Sequence, residues 1–255
     1  MSDERLTKAL EDDDKHKQAV SLTFGSLAPL YDSWYHSPIG RYVWSVETDA
    51  IYALLRFQFH DVVLEVGVGT GMALHLLQPF SSQLVGLDFT WQMLAIAHQK
   101  FLKSNNVHLL LSDGTNLPFR KECVDLAVGM TVLEFISNRD EFLEEINQCL
   151  HPNGYLLLGV LTSMNLWAID RRIRSLAQHD VFELAKFPSP WQVIRMLYRR
   201  GFSQVHYRGA VYAPPFSPST CLRAFTKIDE KLGRRWFSRA LGAFQVFQAR
   251  RKKSR

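Results

Sequence analysis

The stretch "VVLEVGVGTGMAL", Val62–Leu74, decides how the chain is read. An apolar, β-branched run carrying one acid, Glu65, breaks into glycines at 67, 69 and 71, and apolar residues resume at Met72. An unbroken Val/Leu run suits a strand buried on both faces, and the glycines give the backbone freedom for a tight turn into a helix. Such a turn either cradles a nucleotide-like ligand or merely reverses the chain.

Working outward, apolar runs alternate with amphipathic ones. "DVVLEV", "QLVGLD", "NVHLLLSD", "CVDLAVGM" and "YLLLGVL" read as strands, and the segments between the first three read as helices. In "TWQMLAIAHQKFLK", Met93, Leu94, Ala97 and Phe101 share a face, and in "RDEFLEEINQCL" Phe142, Leu143, Ile146 and Leu150 do. "SPWQ", Ser189 to Gln192, fits a capping box with Pro190 at the first helical position; the helix it opens ends at Gly201. "SQVHYRG" and "AFQVFQAR" supply two later strands, and up to about residue 60 the chain reads as helical with a turn at His36 to Gly40. The expectation is a doubly wound α/β fold, Rossmann-like, with a seven-stranded parallel sheet and helices on both faces.

Composition excludes several function classes. Hydrophobic residues make up 47% and charged residues 22%, as in ordinary soluble domains. No stretch approaches the roughly 20 apolar residues of a membrane helix, and the charged start "MSDERLTKALEDDDKHK" lacks the apolar core of a secretory signal. Cys123, Cys149 and Cys221 lie far apart without metal-ligand spacing, so no metal site is expected and a cytoplasmic location is. The net charge of +5 equals the charge of Arg250, Arg251, Lys252, Lys253 and Arg255 together, so it is no signal for nucleic acid.

The turn itself narrows the ligand. A P-loop needs Lys followed by Ser or Thr after its last glycine, and "GTGMAL" has neither. The dinucleotide pattern G-x-G-x-x-G needs glycine where Met72 stands. Glu65 would repel a pyrophosphate and favour a ligand with an ammonium or sulfonium group; pairing with a neighbouring backbone group or Arg is the other reading. Asp88, at the tip of the next strand, is placed to accept both hydroxyls of a ribose or to cap the helix from Thr90.

Taken in order, "VLEVGVGTG", "GLDFTWQML", "SDGTNLPF", "VDLAVGMTVLEFI" and "LHPNGYLLL" resemble the successive motifs of class I S-adenosylmethionine-dependent methyltransferases, in particular the methyltransferase type 11 enzymes related to quinone biosynthesis. The resemblance covers Phe24 to about Leu161 well, and "SPWQVIRMLYRRGF" to "LGAFQVFQAR" more loosely. It implies S-adenosylmethionine as cofactor and S-adenosylhomocysteine as product. The backbone at Gly67, Gly69, Thr70 and Gly71 would approach the methionine part, with Glu65 near its ammonium and Met130 beside it. Asp88 would hold the ribose, Phe89 would pack on the adenine with Met93 in the same set, and Asp113 and the Gly114 backbone would bind the adenine edge. "FGSLAPLYDSWYHSPIGRY" resembles the subgroup's N-terminal lid, with Phe24, Ala28, Tyr31 and Asp32 at its F-x3-A-x2-Y-D positions. Tyr31, Trp34 and Tyr35 would close over the sulfonium, where aromatic faces attract a cation, or serve as helix core.

The segmentation this implies is a flexible charged start at 1–20, a helical lid at 21–60, the cofactor-binding core at 61–249 and a basic tail at 250–255. The activity implied is methyl transfer to a small molecule; the alternatives are a non-catalytic S-adenosylmethionine-binding protein and an NAD(P)-dependent oxidoreductase. No catalytic residue is assigned: Glu134 stands where relatives often carry His, and Glu134, His36 and Tyr31 each read better as structural. Trp167, Arg171, Arg172 and Arg174 fall at helical spacing after the fifth strand, which fits either an acidic or carrier-bound acceptor or a solvated helix face. Oligomeric state is not legible.

Overall fold

The run that precedes the glycines pairs on both of its sides. In the computed structural model, which describes residues 2–55, 58–178, 181–235 and 237–252, β1 (His60–Val66) lies between β2 (Ser81–Asp88) and β4 (Val124–Met130). With β3 (Val107–Leu111), β5 (Leu150–Leu161), β6 (Phe202–Ala210) and β7 (Phe244–Arg251) these strands form a seven-stranded sheet in the order β3-β2-β1-β4-β5-β7-β6. Alternate residues feed two cores, as the pleat requires. Leu156 and Leu158 join Phe142, Leu143 and Ile146 of α5 (Arg139–Cys149) and Val193 and Leu197 of α7 (Pro190–Arg199). Leu157 joins the other face, with Val43 and Val46 of α2 (Pro38–Leu55), Leu74 of α3 (Met72–Leu77), Phe101 of α4 (Trp91–Phe101) and Leu222 of α8 (Ser219–Arg234).

Local chemistry sets the helix boundaries. At α7 both halves of the capping box form, the Ser189 side chain accepting from the Gln192 N–H and the Gln192 side chain accepting from the Ser189 N–H. At α5 the Asn138 side chain accepts from the Glu141 N–H, and Asp140 and Glu141 place negative charge against the helix N-terminus.

Three expectations need correction. The sheet is not wholly parallel, because β7 runs antiparallel to both β5 and β6. α8 and the turn after it pack closely on β6: a Cβ on Gly233, at the end of α8, would lie 2.3 Å from the Gly209 carbonyl oxygen, and one on Gly242 would lie 2.6 Å from that of Ala210. β7 starts where β6 ends, Phe244 pairing with Ala210, and enters the gap between β5 and β6 in the reverse direction. The charged start is helical rather than a separate segment, since α1 (Ser2–Tyr31) runs across residue 20, with an i,i+4 pair between Asp13 and Lys17. Nor is all of 21–60 a lid: α2 packs on β6, β7 and α8, and its Tyr42 hydroxyl donates to Asp229 of α8.

The tail begins later than expected. Arg250 and Arg251 belong to β7, where Arg250 donates to the Asn153 carbonyl at 3.3 Å and Arg251 pairs with Glu122 at 3.1 Å. Lys253 to Arg255 lie outside the described residues.

Phe142 is the keystone of one face: fully buried, its ring stands 3.1 Å from where a Gly114 Cβ would be. Phe142→Ala is expected to cost about 3–5 kcal/mol in urea denaturation, from lost transfer energy plus a cavity. A loss well under 1 kcal/mol would show that α5 does not anchor this core.

Candidate active site

The winding direction of the sheet switches between β1 and β4, and the loops leaving their carboxyl ends part to form a crevice. The glycine turn forms one wall. Gly67 (φ +77°) stands where a Cβ would come within 2.7 Å of Val132 in the loop after β4, whereas a Cβ on Gly69 (φ +53°) would meet nothing within 4 Å. The Gly69 face of the turn is thus open. The turn is held from two directions: the Gly69 N–H donates to Asp88 Oδ2 at 2.9 Å while the Thr90 N–H donates to Asp88 Oδ1 at 2.8 Å. Thr70 donates its hydroxyl to Asp32 Oδ1 at 2.6 Å, and Lys100 of α4 pairs with the other Asp32 oxygen.

A single cavity gathers most of the residues singled out from the sequence. Glu65, Gly67, Gly69, Thr70 and Met130 line it, as do Asp88, Phe89 and Met93 from the end of β2 and the start of α4, and Asp113 and Gly114 after β3. Tyr31 and Tyr35 line it from the N-terminal side. Two residues fall outside. Gly71 caps α3 in a left-handed conformation, with its Cβ position against Phe101. Trp34 is 39% exposed and meets only the edge of Tyr35, because the short 3-10 turn Asp32–His36 points it outward.

The base candidates separate in the same way. His36 is exposed, and Glu134 is fully buried but does not line the cavity; its Oε1 accepts the Leu161 N–H. Arg171 of α6 (Leu166–Gln178) is buried among Trp167, Phe182 and Phe187, whereas Arg172 and Arg174 face outward and Arg174 pairs with Asp170 at 2.6 Å. Among the described residues no cluster of three or more His, Cys, Asp or Glu side chains is placed to hold a metal. No described helix is long and apolar enough to cross a membrane.

Burial sets the electrostatics. Burial and the neighbouring Asp88 charge push the Glu65 carboxyl well above its ordinary value, and its Oε2 has no hydrogen-bond partner among the described residues. Burial also raises Asp88, opposed by the N–H groups of Thr90 and Gly69. Asp113 is partly buried, yet Lys17 of α1, 2.8 Å away, holds it below the usual carboxylate range. Burial pushes Glu47 up to about 8 and Glu134 up to about 7, in both cases against the pull of Arg171.

Residues 64–158 match the family described as methyltransferase domain. Over this stretch the chain is similar to methyltransferase domains, and its fold is that of S-adenosylmethionine-dependent methyltransferases of known structure. The chain is 26% identical to a demethylmenaquinone methyltransferase of Bacteroides fragilis, over 79% of this chain and 91% of that protein. It is 25% identical to a malonyl-[acyl-carrier protein] O-methyltransferase of a Marinomonas species over 61% of this chain, and so spans 56% of the length of that relative. A methyltransferase structure from Thermotoga maritima superposes with a TM-score of 0.69 at 20% identity, covering 91% of this chain and all of that one.

The cavity is capped by α1. Lys17 and Val20, which the sequence did not single out, line it beside Phe24, which it did, and α1 is fixed in place by a hydrogen bond of 3.0 Å between His16 and the Phe135 carbonyl and by an edge-on Phe24–Phe135 contact. Trp44 and Glu47 of α2 and Phe244 of β7 complete the wall. Thr131 also lines it, in a left-handed conformation (φ +51°) costly for a β-branched residue, with its N–H donated to the Gly159 carbonyl at 2.7 Å. The one sequence signal for Thr131 is its place directly after the end of a central strand.

The raised acids make stability depend on pH with a definite sign. Unfolded, Glu47 and Glu134 titrate near 4.5; folded, they titrate near 8 and 7, so between these values the folded chain binds more protons than the unfolded one. Their contribution is therefore greatest at low pH and is lost as pH rises from about 4.5 to 8. Urea midpoints at about pH 5 and about pH 8 should differ less in Glu47→Gln than in wild type; equal differences would remove Glu47 from the account.

Proposed function

We propose that the protein transfers a methyl group from S-adenosylmethionine to a small-molecule acceptor. The observation that carries this reading is the Glu65 carboxylate, buried and unpartnered beside the open face of the glycine turn. A buried carboxylate calls for a cation, which the cofactor's ammonium supplies and a pyrophosphate does not. That distinguishes the reading from an NAD(P)-dependent oxidoreductase, which Met72 also disfavours. A non-catalytic S-adenosylmethionine-binding protein would use the same residues, and product formation separates it.

The remaining residues fit the same ligand. Asp88, oriented by the Gly69 and Thr90 N–H groups and lining the cavity, is placed to accept from a ribose hydroxyl. Phe89 and Met93 supply apolar surface for a purine, with Asp113 and the Gly114 backbone at its edge. Gly114 admits no side chain, since a Cβ would lie 2.7 Å from Val66. The cofactor supplies an activated methyl group, so the protein's task is to orient the acceptor in line with it and to exclude water. Tyr31 and Tyr35 serve the second task, and their rings suit a neighbouring cation. The segmentation we propose is a core from about residue 38 to 251 capped by α1 and the turn after it. Three free cysteines fit a reducing, cytoplasmic setting.

Isothermal titration should show binding of S-adenosylhomocysteine and none of NAD. In Asp88→Ala the affinity for S-adenosylhomocysteine should fall by about 1–3 kcal/mol, through lost charge-assisted hydrogen bonds and a loosened turn. NAD binding without S-adenosylhomocysteine binding would overturn the reading, and unchanged affinity in a folded Asp88→Ala would remove Asp88 from the site.

A further inference from the structure

Part of the cavity wall has no role in holding the cofactor. Glu47, only 7% exposed, lines the cavity from α2 beside Tyr31, Tyr35, Trp44 and Phe244. Its carboxylate accepts no hydrogen bond from any described residue. Behind it, outside the cavity lining, sit Arg171 and Glu134, the two charged side chains that act on it most.

Arg139 acts on Glu134 and Arg171 is shared between both carboxylates, so the Glu47 charge has no cation of its own. Arg171 does not cancel it by direct pairing: its guanidinium lies 5.4 to 5.7 Å from the centres of three aromatic rings, and its Nη1 has no hydrogen-bond partner among the described residues. The group is neutralised either by a proton or by a second cation. Burial favours the proton, pushing Glu47 up to about 8 and Glu134 up to about 7. Tyr31 and Tyr35, the other titratable groups facing Glu47, are raised by burial and by the Glu47 charge and stay neutral. The one cation among the described lining residues, Lys17, is already engaged with Asp113 and Asp13.

Resting on the methyl-transfer reading, we propose that Glu47 is the acceptor-binding residue of this site, that the acceptor is an amine held by its ammonium group among Tyr31, Tyr35, Trp44 and Phe244, and that Glu47 takes the proton from the nitrogen. Aromatic faces attract an ammonium ion, and a desolvated carboxylate among them adds the specific charge. The step balances. The ammonium N–H bond breaks, its proton goes to a Glu47 oxygen, and the nitrogen keeps the electron pair. That pair forms the new N–C bond as the C–S bond to the donor methyl breaks, with the leaving pair kept by sulfur. The product is an N-methylammonium, and Glu47 afterwards returns its proton to water. A group titrating near the working pH is suited to such a transfer.

The test uses the full chain loaded with S-adenosylhomocysteine, and two probes of matched shape, 2-phenylethylamine and 2-phenylethanol. Wild type should bind the amine at least about tenfold more tightly. Because an ammonium beside Glu47 favours the carboxylate over its protonated form, titration at about pH 7 in buffers of different ionisation enthalpy should show proton release with the amine alone. Glu47→Gln should bind both probes alike and release no proton, Glu47→Asp should restore part of the preference, and both variants should keep S-adenosylhomocysteine affinity within about twofold, which also shows that they fold. If wild type fails to bind S-adenosylhomocysteine, the methyl-transfer reading falls and this assignment with it. If S-adenosylhomocysteine binds, this assignment alone falls when the probes bind equally, when neither binds, or when the preference survives in Glu47→Gln.

Discussion

A shortage of positive charge at the carboxyl edge of the sheet governs the rest of this structure. Glu47, Glu65, Asp88 and Asp113 line one cavity, and among the described lining residues only Lys17 opposes them. Each carboxylate is met differently. Asp88 is turned onto backbone N–H groups and so fastens the glycine turn to the end of β2. Asp113 is met by Lys17, which brings α1 across the cavity. Glu65 and Glu47 accept no hydrogen bond from the described residues, and burial raises both. The conformation of the turn, the position of the first helix and the chemistry of what binds are in this sense solutions to one electrostatic problem.

The parts of this arrangement that were legible in the sequence are those written within a few residues of each other. The strand before Gly67, the burial faces of α4 and α5, and the capping box at Ser189 follow from spacing and local chemistry, and all are present. What was hidden depends on residues far apart in the chain. Glu47 reads as one more charge on an amphipathic helix until Arg171 and Glu134 are brought behind it. Lys17 reads as part of a solvated run until Asp113 comes within 2.8 Å. The direction of β7 lies in its pairing with β5 and β6, which no periodicity encodes. Trp34 fails for a simpler reason: the 3-10 turn carrying it advances about 120° per residue, which turns it away from the wall that Tyr31 and Tyr35 share.

The cavity is also divided along the chain. The family match spans residues 64–158, and within it lie Glu65, the glycines, Asp88 and Asp113. The wall around Glu47 comes from outside that stretch, from α1, the 3-10 turn, α2 and β7. A wall built partly inside and partly outside the matched stretch lets the two parts vary independently, as a fold hosting many chemistries requires. Asp32 joins them: it stands in the N-terminal segment and receives the hydroxyl of Thr70 from the turn.

The first helix has a consequence for how the molecule comes into being. His16 meets Phe135 across 119 positions of sequence, and Lys17 meets Thr115 across 98, so α1 leaves the ribosome long before its partners exist. Contacts so distant form late, after the strands they lean on have paired. A segment that joins late through few contacts is also the one that detaches at least expense once folding is complete. The wall that α1 lends the cavity is thus completed only after the strands behind it have paired.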